Sequence, residues 1–336
     1  MKKYVQSSFA IFFLRRLYYY QYEVFFVKIA LIVLIIIIVA VLASGFVFEI
    51  LLVKRGKPMP TDKEGEGSPL LEPTGKELLA YNATKLDKFN ALPKEEIYIT
   101  ANDGIKLKGL LYRGTEDVTV ICCHGYKAAP EMDYVAISEM YVEKGYSLLF
   151  PVMRGHGDSG GRYIGFGVLD AHDVKRWVEK AEDIFPGNDI FLHGMSMGAT
   201  SVLNSADLFS YGEVSGIIAD CGFTCPHDVF CHLIGEVYHI PRFPFVGSFE
   251  LANMMLAKYD FHTYDVRYSI AESTVPCVYI CGTADRFIPL DMARSIAACC
   301  VDSMFVEGGG HAASYMLETE RYREFALSFI ERHRRK

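Results

Sequence analysis

Residues 194–198 read Gly194-Met195-Ser196-Met197-Gly198, a serine with a glycine two positions to either side. This spacing is typical of a nucleophile on a sharp turn that leaves no room for side chains at the glycine positions. Ile190 to His193 predict a strand that enters the turn, and Ala199 to Ala206 predict a helix that leaves it. We therefore predict that Ser196 is a nucleophile rather than an ordinary loop serine.

A serine hydroxyl needs a neighbouring base at neutral pH, and the base needs an acid that fixes its tautomer. His311 follows three glycines after the last predicted strand, and Asp285 follows another predicted strand. The order Ser196, Asp285, His311 is one of the chain orders in which such triads occur, so we predict this triad. Asp220 also ends a predicted strand and is the rival acid, with a turn or cap-anchoring role as its alternative.

Backbone N–H groups must stabilise the oxyanion of the tetrahedral intermediate. The amide of Met197 is the first predicted donor, and the amide of Tyr126, in the loop His124-Gly125-Tyr126 after a predicted strand, is the second. We expect His124 to shape this loop rather than act as a base. His193 lies on the strand before the nucleophile and His333 in a basic tail.

These residues need a scaffold, and short β-rich runs alternate with helical stretches from Glu96 onward. Several runs are almost continuously apolar, which indicates strands covered on both faces, and the alternation predicts a mainly parallel eight-stranded sheet in an α/β domain. Val174 to Ala181 and Met292 to Ala298 predict helices. The predicted strands are 96–100 and 105–112, joined by a turn at Asn102-Asp103-Gly104, then 118–123, 147–152, 189–193, 216–220, 277–281 and 303–306.

About 50 residues, 223–273, interrupt the alternation with mixed helical and loop character. We interpret them as a helical cap. Its apolar side chains are expected to roof a pocket above the sheet, or else to form a helical layer without ligand contact. They are Pro241, Phe243, Pro244, Phe245, Met254, Met255, Leu256 and Tyr259.

Ile29 to Phe48 form an uncharged run of about 20 residues, enough to cross a bilayer as a helix. A cleaved secretory signal, with small residues at Val41 and Ala43, is the alternative. The predicted organisation is a cytoplasmic or interfacial tail (1–28), a transmembrane helix (29–53), a Gly- and Pro-rich tether (54–75) and the main domain (76–336).

The basic residues on both sides of the span give a weak orientation signal. We expect a cytoplasmic N-terminus and a single-pass protein of the cell membrane with its main domain outside the cytoplasm. Thr74 followed by Glu77 resembles a capping box that opens a helix towards Asn90. The capping box therefore places the start of the globular domain near this position.

The formal net charge of -7 and the lack of a basic cluster on the main domain argue against nucleic acid as a partner. No cofactor or metal is expected. The set Cys225, His227, Cys231 and His232 has zinc-binding residue types but no firm spacing, so we interpret these as ordinary cap residues. The basic C-terminal tail is interpreted as a solvated helix end rather than a lipid-binding site, and the oligomeric state stays open.

Five segments stand in the order of one family: His124-Gly125-Tyr126, residues 154–161 (Arg-Gly-His-Gly-Asp-Ser-Gly-Gly), the 194–198 motif, Gly282 to Asp285, and Gly310-His311. From Glu96 to the C-terminus the chain resembles a bacterial α/β-hydrolase of the serine-aminopeptidase-like and Bem46-like group. The resemblance implies the α/β-hydrolase fold and acyl-enzyme hydrolysis of an ester, thioester or amide, often of lipid-like acyl groups. It also implies that residues 154–161 shape the floor and edge of the site.

Three functions follow as hypotheses. The first is a membrane-bound carboxylesterase or acyl-thioesterase with a small or lipid-like substrate, favoured by the triad and the apolar cap. The second is a serine peptidase, which shares the triad but needs a polar subsite for a peptide terminus. The third is a binding module without catalysis.

Overall fold

The computed structural model describes residues 2–56 and 73–335, with the backbone alone for residues 2–14 and 17. Its centre is a single eight-stranded sheet in the order β1-β2-β4-β3-β5-β6-β7-β8. The predicted sheet is confirmed. The strands are β1 Lys94–Thr100, β2 Lys106–Tyr112, β3 Val118–Cys123, β4 Ser147–Pro151, β5 Asp189–Met195, β6 Gly216–Asp220, β7 Cys277–Gly282 and β8 Asp302–Val306.

The middle of the sheet is parallel and the β1–β2 end is antiparallel. Every residue of β3, β5, β6 and β7 is buried, which agrees with their continuous apolar runs. The predicted hairpin is present, with Gly104 at a φ of +82° in its turn. Because the parallel strands all point the same way, their carboxyl ends gather at one edge of the sheet.

Helices cover both faces of the sheet and form the insertion between β6 and β7. Trp177 packs over Gly109 of β2, where a Cβ atom would lie 2.8 Å from the indole ring. The helices are α1 Lys2–Phe48, α2 Gly75–Ala83, α3 Leu86–Asn90, α4 Pro130–Asp133, α5 Ser138–Glu143, α6 Val168–Ile184, α7 Met197–Asn204, α8 Pro226–His232, α9 Arg242–Leu256, α10 Val266–Glu272, α11 Leu290–Ala297, α12 Ser314–Leu317 and α13 Thr319–His333, with a 3₁₀ turn at Ala206–Leu208 and π turns at Glu49–Val53 and Leu233–Val237.

The insertion consists of α8, α9 and α10, as the cap prediction requires. Its interior is an aromatic cluster of Phe230, Phe249 and Phe261, whose ring centroids lie 4.9–5.0 Å apart. The predicted roof is wrong for Phe243 and for residues 254–256, because these side chains are exposed. The opposite face of α9 carries the buried residues, and it turns Phe249 inward instead.

Among the described residues, one helical segment is long and apolar enough to cross a bilayer, and it covers Tyr18–Val53. The α-helical part, α1, starts well before the predicted span and ends at Phe48, where the π turn follows. The aromatic side chains that precede the predicted span, including Tyr18 and Tyr22, are exposed along it.

The end of α1 packs against α9 of the cap. Gly45 permits this contact, because a Cβ atom there would lie 2.1 Å from the carbonyl oxygen of Ser248. The ring centroids of Phe48 and Phe249 are 5.8 Å apart. The membrane-spanning candidate is therefore joined to the cap by direct packing.

The first residues after the π turn also lie on the globular domain. The amide of Ile164 donates to Val53, and the amide of Arg55 donates to Arg162. Arg55 also donates from its side chain to the carbonyl of Ser159. Residues 54–56 thus differ from the predicted free tether, and residues 57–72 of that tether lie outside the described residues.

The capping-box prediction at Thr74 is wrong. Thr74 precedes α2, but its side chain makes no hydrogen bond to the first turn of that helix. Its hydroxyl accepts instead from the amide of Gly310, at 3.1 Å. The predicted single helix towards Asn90 is divided into α2 and α3.

Candidate active site

Ser196 occupies the tight turn between β5 and α7 with φ 54° and ψ −117°, a left-handed conformation that is costly for a residue other than glycine. The flanking glycines allow the turn. A Cβ atom at Gly194 would lie 2.3 Å from the carbonyl oxygen of Gly198, and one at Gly198 would lie 2.0 Å from that of Cys123. The motif therefore places Ser196 at the carboxyl edge of the sheet.

The structure brings together the three predicted triad residues. His311 Nε2 lies 2.8 Å from Ser196 Oγ, and His311 Nδ1 lies 2.8 Å from Asp285 Oδ2. Asp285 follows β7, and His311 lies in the loop after β8. The other oxygen of Asp285 accepts from the amides of Phe287 and Ile288, so the carboxylate is fixed from both sides.

The imidazole of His311 is buried and carries a perturbed pKa. Burial lowers this pKa, but the attraction of the adjacent Asp285 carboxylate outweighs burial and brings it above the ordinary value of 6.5. The ring of Phe287 stacks on the imidazole with centroids 5.0 Å apart. This arrangement favours the protonated imidazole, the form that His311 would take in its predicted role as the base.

The rival acid, Asp220, does not contact His311. Its Oδ2 accepts from the hydroxyl of Tyr322, which lies 3.0 Å from His193 Nε2. The hydroxyl of Tyr141 completes this buried chain at His193 Nδ1. Burial raises the pKa of Asp220 to about 7 and lowers that of His193 to about 3, so the buried surroundings disfavour the charged form of both groups.

The two predicted oxyanion donors are available for a ligand. Within the part of the chain that the structure describes, neither the Met197 amide nor the Tyr126 amide donates a hydrogen bond. Met197 is the first residue of α7, where the helix dipole favours negative charge. Gly125 brings the loop at Tyr126 close to Ser196, because a Cβ atom at Gly125 would lie 3.2 Å from Ser196 Cβ.

Two buried histidines hold the loop that contains Tyr126. His124 Nε2 accepts from the amide of Met153, so its Nδ1 carries the proton that it donates to Gly125. His156 Nε2 accepts from the amide of Lys127. Burial lowers the pKa of His124 to about 3 and that of His156 to about 4, which keeps both imidazoles neutral.

Asp133, at the end of α4, is a residue that the sequence reasoning missed. Its Oδ2 accepts from the amide of Gly125 at 2.7 Å, directly before Tyr126. Burial of the carboxyl group raises its pKa to about 6. The only sequence signal is its position eight residues after Gly125, which no general motif marks.

The end of the apolar helical segment also reaches this loop. The hydroxyl of Tyr126 donates to the carbonyl of Leu52 at 2.8 Å, and Lys127 Nζ donates to that of Leu51 at 3.0 Å. We call these two hydrogen bonds the juxtamembrane latch. Through them the π turn at Glu49–Val53 contacts the residue predicted to supply an oxyanion donor.

Within residues 73–335, where all nine cysteines lie, each is a free thiol. Cys122, Cys123, Cys277 and Cys281 are buried core residues. Cys221 Sγ lies 3.9 Å from His311 Nε2. Burial raises the pKa of Cys221 well above its ordinary value, so this thiol remains protonated beside the triad.

No family model matches the chain. Among characterised and uncharacterised curated sequences, the chain is similar to the uncharacterised protein YqkD of Bacillus subtilis strain 168. The two are 23% identical over 251 residues, which cover 73% of this chain and 82% of YqkD.

Solved structures show a wider likeness. The esterase Pf2001 of Pyrococcus furiosus superposes with a TM-score of 0.61 at 21% identity, and the match covers 74% of this chain and 93% of the Pf2001 chain. The α/β hydrolase GrgF of a Penicillium species superposes with a TM-score of 0.58 at 17% identity, and the match covers 72% of this chain and 99% of GrgF. Est1E of Butyrivibrio proteoclasticus, solved with bound ferulic acid, superposes with a TM-score of 0.54 at 20% identity. This match covers 70% of this chain and 99% of Est1E. The chain has the α/β-hydrolase fold.

A pH profile tests the proton-transfer role of His311. Only a neutral imidazole can accept the serine proton, so the rate of Ser196 labelling by a fluorophosphonate should fall as the pH decreases through a value above 6.5. Asp285→Asn removes the attraction that raises this pKa. We expect the labelling rate of the variant to fall at a lower pH than that of the wild type. We also expect the variant to react roughly 10⁴-fold more slowly. A fall of the labelling rate at the same pH in both proteins would contradict the prediction that Asp285 is the acid of the triad.

Substitution of Asp133 tests whether its hydrogen bond to the Gly125 amide positions the loop that contains Tyr126. Asp133→Ala leaves the Gly125 amide without its acceptor, so we expect kcat to fall about tenfold to a hundredfold with little change in KM, less than for the loss of a whole oxyanion donor. Asp133→Asn keeps a carbonyl acceptor and should retain most activity. Glu131→Ala, an exposed carboxylate in the same helix, is the matched control. Equal loss in the Ala and Asn variants would speak against this role.

Proposed function

We propose that the protein is a serine hydrolase that cleaves carboxylic esters or acyl thioesters through an acyl-enzyme on Ser196. The observation that carries the proposal is the unbroken line of hydrogen bonds from Asp285 through His311 to Ser196, each of 2.8 Å. Such a line supplies an activated nucleophile, its base and the group that orients the base.

In the proposed reaction, Ser196 Oγ attacks the acyl carbon and His311 Nε2 accepts its proton. The resulting oxyanion receives hydrogen bonds from the amides of Met197 and Tyr126. The tetrahedral intermediate collapses when His311 returns the proton to the leaving oxygen or sulfur, which leaves the acyl group on Ser196. A water molecule, activated by the same histidine, then releases the acid.

The choice of esters over amides rests on the kind of proteins that share the fold, among which Pf2001 is an esterase by name. The finer resemblance to the serine-aminopeptidase-like and Bem46-like group keeps a peptidase as the alternative. An amide needs stronger leaving-group protonation than an ester, so the two functions separate in a direct comparison of matched substrates.

A lipid-like acyl substrate follows from the apolar helix. A bilayer crossed by residues 29–53 would lie next to the cap through the contact of Gly45 with α9. The juxtamembrane latch joins the same segment to Tyr126. We therefore propose a single-pass membrane protein whose acyl substrates come from or partition into the bilayer, with the catalytic domain, 76–336, outside the cytoplasm.

Active-site labelling tests the reaction class. The purified full chain in detergent should hydrolyse short p-nitrophenyl esters and bind a fluorophosphonate covalently, whereas Ser196→Ala should lose labelling completely and at least about 10³-fold in kcat. Ser328→Ala, an exposed serine on α13, is the matched control. If wild type neither labels nor turns over esters, the proposed function is wrong. Amide turnover equal to that of the matched ester would favour the peptidase.

Thiol labelling tests the membrane side, because Cys299 is an exposed free cysteine on the catalytic domain. A membrane-impermeant maleimide added to intact cells should label the full chain if the domain lies outside the cytoplasm. Cys299→Ser should remove most of this labelling, since six of the other eight thiols are buried and the remaining two, Cys231 and Cys300, are half-buried. Labelling that appears only after the cells are permeabilised would place the domain in the cytoplasm.

A further inference from the structure

Three metal-ligating side chains converge on the cap, remote in sequence from one another and separate from the triad. Glu250 Oε1 on α9 lies 2.5 Å from His227 Nδ1 on α8 and 3.0 Å from His262 Nε2 in the loop after α9. The two imidazole centroids are 4.2 Å apart. The donor atoms lie within 4.8 Å of each other.

The arrangement has the residue types and spacing of a site for a borderline transition metal. Two imidazoles and one carboxylate are a common ligand set of zinc when a fourth position is left open. Two ligands about 2.1 Å from a tetrahedral zinc ion lie roughly 3.4 Å apart, so Glu250 Oε1 and each of the two imidazole nitrogens need to separate by less than about 1 Å to admit the ion. The side chains are half-buried to exposed, which gives an ion access from solvent.

Cys231 supplies the outer support that such a site requires. It follows His227 by four residues on α8, and its Sγ lies 3.4 Å from His227 Nε2. With an ion on Nδ1 of His227 in place of the proton that this atom shares with Glu250, the Nε2–H group would donate to the Cys231 sulfur. Metal-binding histidines ordinarily have their second nitrogen fixed in this way.

We propose that His227 Nδ1, Glu250 and His262 Nε2 bind a divalent borderline metal ion, zinc above all, with water in the fourth position. This differs from the sequence interpretation of His227 and Cys231 as ordinary cap residues. His232, which the sequence analysis grouped with His227 and Cys231, does not join the cluster, because its Nε2 lies 3.0 Å from the carbonyl oxygen of Arg286. Glu250 and His262 have no local spacing that would have included them.

The position of the site gives the ion a structural role. It joins α8, which follows β6, to α9, which packs on α1, and to the loop at His262. A bound ion therefore fixes the cap helices to each other. The ion lies on a different group of residues from the triad, so hydrolysis does not pass through it.

Zinc binding to the full chain in detergent, freed of metal with a chelator, tests the proposal. Titration calorimetry with ZnCl₂ should give one site per chain, and ZnCl₂ but not MgCl₂ should raise the midpoint of thermal unfolding. His262→Ala and Glu250→Gln should each weaken binding at least about tenfold and abolish the rise. His239→Asn, an exposed cap histidine outside the cluster, should bind like wild type.

A second cluster among the described residues, Cys221 with Asp285 and His311, is a possible source of zinc binding because its donor atoms also lie within 4.8 Å. Cys221→Ser distinguishes the two. One-site binding that persists in Cys221→Ser and is lost in His262→Ala supports the cap site. Binding lost in Cys221→Ser, or no one-site binding by the wild type, overturns the proposal. Neither result depends on activity of the enzyme, so the proposed hydrolase stands or fails separately.

Discussion

The close approach of α7 to the end of β3 is the constraint on which the rest of the site depends. Gly198 permits it, because any side chain there would overlap the carbonyl oxygen of Cys123. The approach places the first amide of α7 beside the loop that starts at His124. It also requires the left-handed backbone of Ser196 that turns the hydroxyl towards His311. The positions of Ser196, the proposed nucleophile, and of the Met197 amide, a proposed oxyanion donor, thus follow from one backbone contact, as does the route of the loop at Tyr126.

Burial around this contact leaves few charges at the reacting atoms. Asp220 and His193 are joined through Tyr322 in a chain in which burial disfavours both charged forms. The adjacent thiol of Cys221 stays protonated for the same reason. Asp285 is the exception, because two main-chain amides and His311 satisfy its carboxylate. Asp285 is consequently the main partner that favours the charged form of His311, as the proposed role of general base requires.

The sequence predicted what is encoded locally. Each strand, the motif around Ser196 and the short segments at Asp285 and His311 are patterns within a few residues. The structure bears out the fold and brings the three side chains together. Interactions between distant segments had no such signal. Asp133 meets Gly125, and Leu52 meets Tyr126, without any periodicity that links them.

Two errors have the same physical origin. The cap residues were judged by hydrophobicity alone, but the orientation of α9 decides which apolar side chains point inward, and it exposes Phe243. The hydroxyl of Thr74 was expected to accept from its own helix, yet it accepts from the amide of Gly310, a donor that is distant in sequence. Hydrogen-bonding side chains near element ends commonly have both options, and only the packed structure selects one.

The juxtamembrane latch has a consequence for the chain when it is cut. Residues 57–72 connect the apolar segment to α2, but main-chain hydrogen bonds of Val53 and Arg55 and the latch at Tyr126 hold the two parts without that connection. Proteolysis within 57–72 would leave two fragments that still associate. With α1 in a bilayer, the nicked catalytic fragment would stay at the membrane surface until these contacts opened, and release would be a dissociation rather than a cleavage event.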